Sequence, residues 1–321
     1  MAKNTDLPWW DDRRKFTCPA PELKKVPEDN LPVLHSPKTI YRYLDNRLYG
    51  CEAYKKAIST ALWSSINLET KTNFLVIGPS GCGKTELARI LNKVYPNMVI
   101  FDATSVTPIS FKGCVTISQC LLEVDTSNAA NPPWIFIDEI DKAVGKGDDV
   151  GFMIMNELLK MMEGGQLYVD DGHNSKKLVD TSRVNFVFMG TFASIKKDQK
   201  NSIGFDQDIK PVSSTSPITR EMICASDLLS NEFIGRINGG ILEVEPMDEV
   251  KAAMLLEDVR FSPIARLAEK YQVDIHVTEE KCRELVRLTA KYGVRGIYSE
   301  LQSLINEAIF EDCKVTAITI S

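Results

Sequence analysis

Gly78-Pro79-Ser80-Gly81-Cys82-Gly83-Lys84-Thr85 is the stretch whose reading decides the fold. It has the spacing G-x-x-x-x-G-K-[ST]. In that pattern glycines let the backbone curl until its N–H groups face the phosphates of a nucleotide. The flanks agree with this reading. Asn73-Phe74-Leu75-Val76-Ile77 is an apolar run of strand length, and residues 86–94 are mainly helix formers with apolar side chains at helical spacing. A helix that starts there brings unpaired N–H groups and a positive dipole end to the same phosphates. Lys84 then reaches the β- and γ-phosphates, and the Thr85 hydroxyl is a ligand for Mg²⁺. ATP and Mg²⁺ are the expected cofactors.

Trp134-Ile135-Phe136-Ile137-Asp138-Glu139 is the second decisive stretch, an apolar strand that ends in two carboxylates. Strand ends are where open α/β sheets bind ligands. Asp138 is placed to help hold Mg²⁺, and Glu139 to act as general base on the attacking water. Further apolar runs at 98–102, 184–189 and 240–244 supply the remaining strands of a sheet. Thr191 follows the run at 184–189, where it either senses the γ-phosphate or places the water. Upstream of the first strand, Leu48 and Tyr49 either sandwich the adenine or pack in the core.

The expected class is α/β: a parallel sheet flanked by helices, then a small, mostly helical part. Helices are expected at 37–44, 52–67, 115–124 and 152–163, with a hairpin-like excursion around 168–177 that leaves His173 in a loop. From residue 246 helices are expected at 249–258, 263–271, 279–291 and 297–309, interrupted by one strand at 273–277. Residues 1–35 carry Pro8, Pro19, Pro21, Pro27 and Pro32 and read as an extended arm. Its Trp9 and Trp10 dock either on the chain itself or on a partner.

The 321 residues suffice for about two domains, and 44% hydrophobic content supports a packed core. The formal net charge of -6 speaks against a nucleic-acid partner. Eight cysteines are scattered without a C-x-x-C pair, so neither a zinc ribbon nor a thioredoxin-type site is expected. Cys82 inside the phosphate loop suits a reducing compartment. With no signal-peptide pattern and no apolar run of membrane-spanning length, a soluble cytoplasmic protein is expected.

Taken together, residues 36 to 312 resemble an AAA+ ATPase, and most closely the ClpX-type unfoldases. Ile137-Asp138-Glu139-Ile140-Asp141-Lys142 resembles the family's Walker B. Ser110-Phe111-Lys112-Gly113 is similar to its aromatic pore loop, with Phe111 and Lys112 at the grip. Glu232-Phe233-Ile234-Gly235-Arg236 resembles the arginine-finger box, and Gly293-Val294-Arg295-Gly296 the sensor-2 box. The resemblance implies a large ATPase domain over 36–245, a small helical domain over 246–321, and a homo-hexameric ring that threads protein substrates. It implies that Arg236 acts on a neighbour's nucleotide and that Arg295 acts on its own. Ile203-Gly204-Phe205 resembles the tip that docks on a ClpP-type peptidase; otherwise the tip folds back on its own domain. The family's N-terminal zinc-binding domain is not expected here, the proline-rich arm standing in its place. The alternative to an unfoldase is a protease-independent remodeller of protein or protein–nucleic-acid complexes.

Overall fold

The structure is a computed structural model and describes residues 8, 32–106, 115–144, 149–171, 175–193, 195, 218–226 and 228–321. The expectations on Trp9 and Trp10, on Phe111 and Lys112, on His173, and on Ile203, Gly204 and Phe205 lie outside the described residues.

Five strands form the central sheet: β1 (Asn73–Ile77), β2 (Met98–Asp102), β3 (Trp134–Asp138), β6 (Asn185–Gly190) and β7 (Gly240–Glu243). Their order is β2-β3-β6-β1-β7, and every pairing is parallel. A parallel sheet is covered on both faces, so its strands read as unbroken apolar runs. Alternate residues supply two different cores. Leu75, Ile77, Ile135, Ile137, Phe186 and Phe188 point to one face, which the helix Asp149–Glu163 covers. Phe74, Val76, Trp134, Phe136 and Val187 point to the other, where the helices Pro37–Asp45, Glu52–Asn67 and Lys84–Asn92 lie. The indole of Trp134 is fully buried and donates to the Ser65 hydroxyl at 3.2 Å, so its one polar atom is satisfied. The first helix starts where Ser36-Pro37 predicts it, with a capping box between Ser36 and Thr39 and the proline at its first position.

β4 (Gln166–Asp170) and β5 (Lys176–Asp180) form the antiparallel hairpin outside this sheet. Lys71 fastens its base. The Lys71 ammonium donates to the carbonyls of Met162, at 2.9 Å, and Thr181, at 3.0 Å. It thereby caps the C-terminal end of the helix Asp149–Glu163, where carbonyls lack helical partners. Burial lowers its pKa from 10.5 to about 8, against the opposing pull of Asp180. Between those two values the unfolded chain binds more protons than the folded one, so this group's contribution to stability grows as the pH rises. Lys71→Met removes that titration. Thermal melts should therefore show wild type gaining on the variant from pH 8 toward pH 10.5. A constant difference would mean that Lys71 keeps an ordinary pKa.

After β7 the chain forms the helices Glu249–Glu257, Pro263–Tyr271 and Glu279–Glu311, with β8 (Asp274–Val277) and β9 (Ala317–Ile320) paired in parallel. These elements pack a core of their own around Leu256, Leu267, Leu285, Ile297 and Leu301. Three expectations need correction. Residues 115–124 hold a 3-10 helix, Ile117–Glu123, in place of an α-helix. The two helices expected at 279–291 and 297–309 are both present within Glu279–Glu311, but the gap between them is shorter than expected, a kink at Gly293 (φ 62°, ψ -163°). The tail strand β9 was not anticipated. Gly293 sits directly on the phosphate loop, where a Cβ would fall 3.0 Å from the Ser80 carbonyl oxygen. Among the described residues no helix is long and apolar enough to cross a membrane.

Candidate nucleotide site

The phosphate loop lies between β1 and the helix Lys84–Asn92, at the ends of the parallel strands. Gly81 (φ 77°) and Gly83 (φ 98°) take the left-handed conformation that lets the loop turn back on itself. Gly78 is a glycine for a different reason. A Cβ there would fall 2.6 Å from the carbonyl oxygen of Val244.

A cavity of about 430 Å³ opens beside the loop. It gathers most of the expected residues: Leu48, Tyr49, Ser80, Gly81, Cys82, Gly83, Lys84, Thr85, Asp138, Glu139, Thr191 and Arg295. Pro79 lines a neighbouring groove instead, which Arg295 also borders. Arg236 lies in neither. Its guanidinium is ion-paired within its own chain, to Glu163 at 2.7 Å and to Glu232 at 3.0 Å.

Lys84 is buried, and its ammonium donates to the carbonyls of Gly78, at 2.6 Å, and Pro79, at 2.9 Å. It is folded onto the loop. The Thr85 hydroxyl donates to Asp138 Oδ2 at 2.5 Å, and the other oxygen of that carboxylate accepts from the Glu139 N–H at 2.9 Å. A hydroxyl beside a single carboxylate is an all-oxygen donor pair. It suits Mg²⁺, which takes one or two protein ligands and fills the rest with phosphates and water. No cluster of three or more His, Cys, Asp or Glu ligands occurs among the described residues, so nothing there makes an all-protein metal cage. Burial pushes the Cys82 thiol up, partly offset by Lys84, and pushes Cys51 up to about 12. These thiols stay protonated, as packing residues and not nucleophiles.

Glu139 stands at φ 56°, in the left-handed region that a side chain rarely adopts, and its carboxylate is ion-paired to Lys142 at 2.8 Å. Thr191, at the end of the neighbouring strand β6, gives its N–H and its hydroxyl to Asp141.

Sequence reasoning missed part of the lining. Asp141, Arg47, Leu255, Phe261, Arg266 and Tyr298 all border the cavity. Phe261 meets Tyr49 edge to face, with ring centroids 5.9 Å apart. The Arg266 guanidinium lies 5.3 Å from the Phe261 ring and donates to the Arg47 carbonyl at 3.3 Å. Leu255, Phe261, Arg266 and Tyr298 come from the helical part and are brought to the loop by tertiary packing. Asp141 carried a local signal, a third acidic residue within four of the strand end, but it reads equally as a solvated helix start.

A parallel sheet in this order, with a phosphate loop after β1 and paired carboxylates after β3, defines a P-loop ATPase. The family described as AAA domain (Cdc48 subfamily) matches residues 69–239. ClpX 2 of Wolinella succinogenes, an ATP-dependent Clp protease ATP-binding subunit, is 30% identical over 312 residues, spanning 87% of this chain and 78% of the relative. ClpX 3 of Methylococcus capsulatus is 26% identical, spanning 86% of this chain and 76% of the relative. ClpX of Treponema denticola is 27% identical, with spans of 89% and 79%. The chain belongs to the AAA+ ATPases, and within them to the ClpX type.

Proposed function

We propose that this ATPase is a ring motor that unfolds polypeptides and translocates them through a central pore. The observation that carries the reading is the division of the expected machinery. One cavity gathers the phosphate loop, Asp138, Glu139, Thr191 and Arg295, while Arg236 stands outside it on the same chain. In this reading Arg236 serves the cavity of a second copy, and a hexamer is the expected closed ring.

ATP bound with Mg²⁺ supplies the energy-rich γ-phosphoryl group. In this reading Gly81 and Gly83 present the loop's backbone to the phosphates. Lys84 leaves the Gly78 and Pro79 carbonyls for them, and Thr85 and Asp138 hold the Mg²⁺. Glu139 takes a proton from the attacking water. Arg295 approaches from the helical part, which we assign to a small domain over 246–321 beside a large one over 36–245. Leu48 and Tyr49 flank the base together with Phe261. Phe111 grips substrate by apolar contact, which does not depend on sequence and suits a motor with many substrates. Lys112 adds attraction for acidic stretches.

Three of the relatives' printed names describe subunits of Clp proteases, which supports a ClpP-type peptidase as partner, docked through Ile203, Gly204 and Phe205. The test is degradation of a stable tagged protein with ATP and Mg²⁺, with and without a ClpP-type peptidase. Phe111→Ala is expected to keep ATP hydrolysis and lose unfolding. Phe205→Ala is expected to keep unfolding and lose degradation. Unfolding by wild type without any binding of peptidase moves the protein to the protease-independent remodellers. Equal unfolding by Phe111→Ala and wild type removes Phe111 from the pore.

A further inference from the structure

Asp141 enters the cavity from the first turn of the helix Ile140–Val144. Its Oδ2 accepts three hydrogen bonds from one short stretch of chain: from the Thr191 N–H at 3.1 Å, the Thr191 hydroxyl at 2.8 Å and the Phe192 N–H at 2.8 Å. Its Oδ1 is buried and has no hydrogen-bond partner among the described residues. The carboxylate rests on Gly190, where a Cβ would fall 2.6 Å from Oδ1, so only glycine leaves room for it. Two residues nearby in the chain have unusual backbones. Glu139 (φ 56°) and Phe192 (φ 48°) both sit in the left-handed region, at the ends of the neighbouring strands β3 and β6. Such conformations cost of order 1–3 kcal/mol each and persist where the surroundings impose them, most often at functional sites.

A hydroxyl has one proton to give and two lone pairs. The Thr191 proton is given to Asp141, so Thr191 Oγ1 can meet a ligand in the cavity only as an acceptor. The oxygens of a γ-phosphate are themselves acceptors and need donors. An attacking water has two protons, and Glu139 takes one of them. We propose that Asp141 is a positioning residue that fixes Thr191 as the acceptor for the second proton of the attacking water. The inference rests on the reading of Glu139 as general base, and it decides between the two roles open to Thr191 in favour of placing the water. The step balances as follows. Water gives one proton to the Glu139 carboxylate as its oxygen bonds to the γ-phosphorus. The bond from that phosphorus to the β–γ bridging oxygen breaks, and ADP leaves with that oxygen. Thr191 keeps its own proton throughout.

The experiment is single-turnover hydrolysis and nucleotide binding on the full chain. Thr191→Val should lower the rate by about 10–100-fold, the scale seen when an outer-shell partner is lost. Its KM, and its ratio of ATP to ADP affinity, should stay within about 2-fold of wild type, because the lost contact acts on water and not on the nucleotide. Thr191→Ser restores the rate. Asp141→Asn falls by a similar factor, and the double variant is no slower than the slower single one, since both changes break one unit. A selective loss of ATP over ADP affinity in Thr191→Val would make Thr191 a γ-phosphate donor and overturn the proposal. A wild-type rate in Thr191→Val, or multiplied losses in the double variant, would overturn it equally. Thr191→Val leaves the Asp141 carboxylate in place, so the test stands even where Asp141→Asn fails to fold. Failure of the base itself is read separately, as retained turnover in Glu139→Gln.

Discussion

Glu139→Gln leaves nucleotide and Mg²⁺ binding intact and lowers ATP turnover by about 10²–10⁴-fold, the range that a positioned general base contributes. The reasoning is local. Glutamine has the shape of glutamate and cannot accept a proton at neutral pH, so the site is filled as before but the water is not activated. The change costs little elsewhere. The one ion pair it breaks, to Lys142, joins side chains that are 38% and 52% exposed. Exposed pairs contribute about 0–1 kcal/mol, so folding is not at stake. Binding of a fluorescent ATP analogue and steady-state phosphate release measure the two halves of the expectation. A purified Glu139→Gln with the wild-type rate removes Glu139 from the chemistry.

Arg236→Ala is the second large effect. A trans arginine contributes about 10³–10⁵ to the hydrolysis rate in related phosphoryl transfers, so homogeneous Arg236→Ala rings are expected to be nearly inactive. Rings mixed from Arg236→Ala and Glu139→Gln subunits should recover activity. At some interfaces an intact Arg236 then faces an intact Glu139. The ion pairs to Glu163 and Glu232 do not stand in the way. Their carboxylates are 57% and 61% exposed against 22% for the arginine, so both acids are left in solvent when the arginine turns toward a neighbour. Mixed rings, confirmed as such, that stay inactive at every ratio would count against the trans role.

The parts of the fold that could be read in the sequence were those that depend on neighbours along the chain. The phosphate loop needs glycines at fixed spacing, and the buried strands need unbroken apolar runs. Both are local demands, and both lie where they were expected. Elements that depend on distant partners were less legible. β9 is four residues long, and it pairs with β8 some forty residues earlier. The 3-10 segment Ile117–Glu123 has apolar residues at helical spacing, but spacing alone does not distinguish a 3-10 helix from an α-helix. The break at Gly293 was expected as a gap of several residues. One glycine suffices, because it alone has the backbone freedom the turn requires.

The candidate site divides along the same line. Asp138, Glu139, Lys84 and Thr85 are bound to motifs that are contiguous in sequence. Phe261 and Arg266 reach the cavity from stretches that carry no nucleotide motif, Tyr298 lies just past the box at 293–296, and the packing of the helical part brings all three there. Asp141 was visible as a residue but not as a partner of Thr191, fifty positions away.

The seat of Gly293 on the phosphate loop makes a joint with no side chains in it. Gly81 and Gly293 face each other backbone to backbone. Rotamers are what normally absorb small displacements in a packed interior, and a contact between two glycines has none. With no rotamer to give way at this contact, the fit between the phosphate loop and the helical part depends on the backbone at Gly293, the residue of Glu279–Glu311 with non-helical dihedrals, and not on the side chains that line either half.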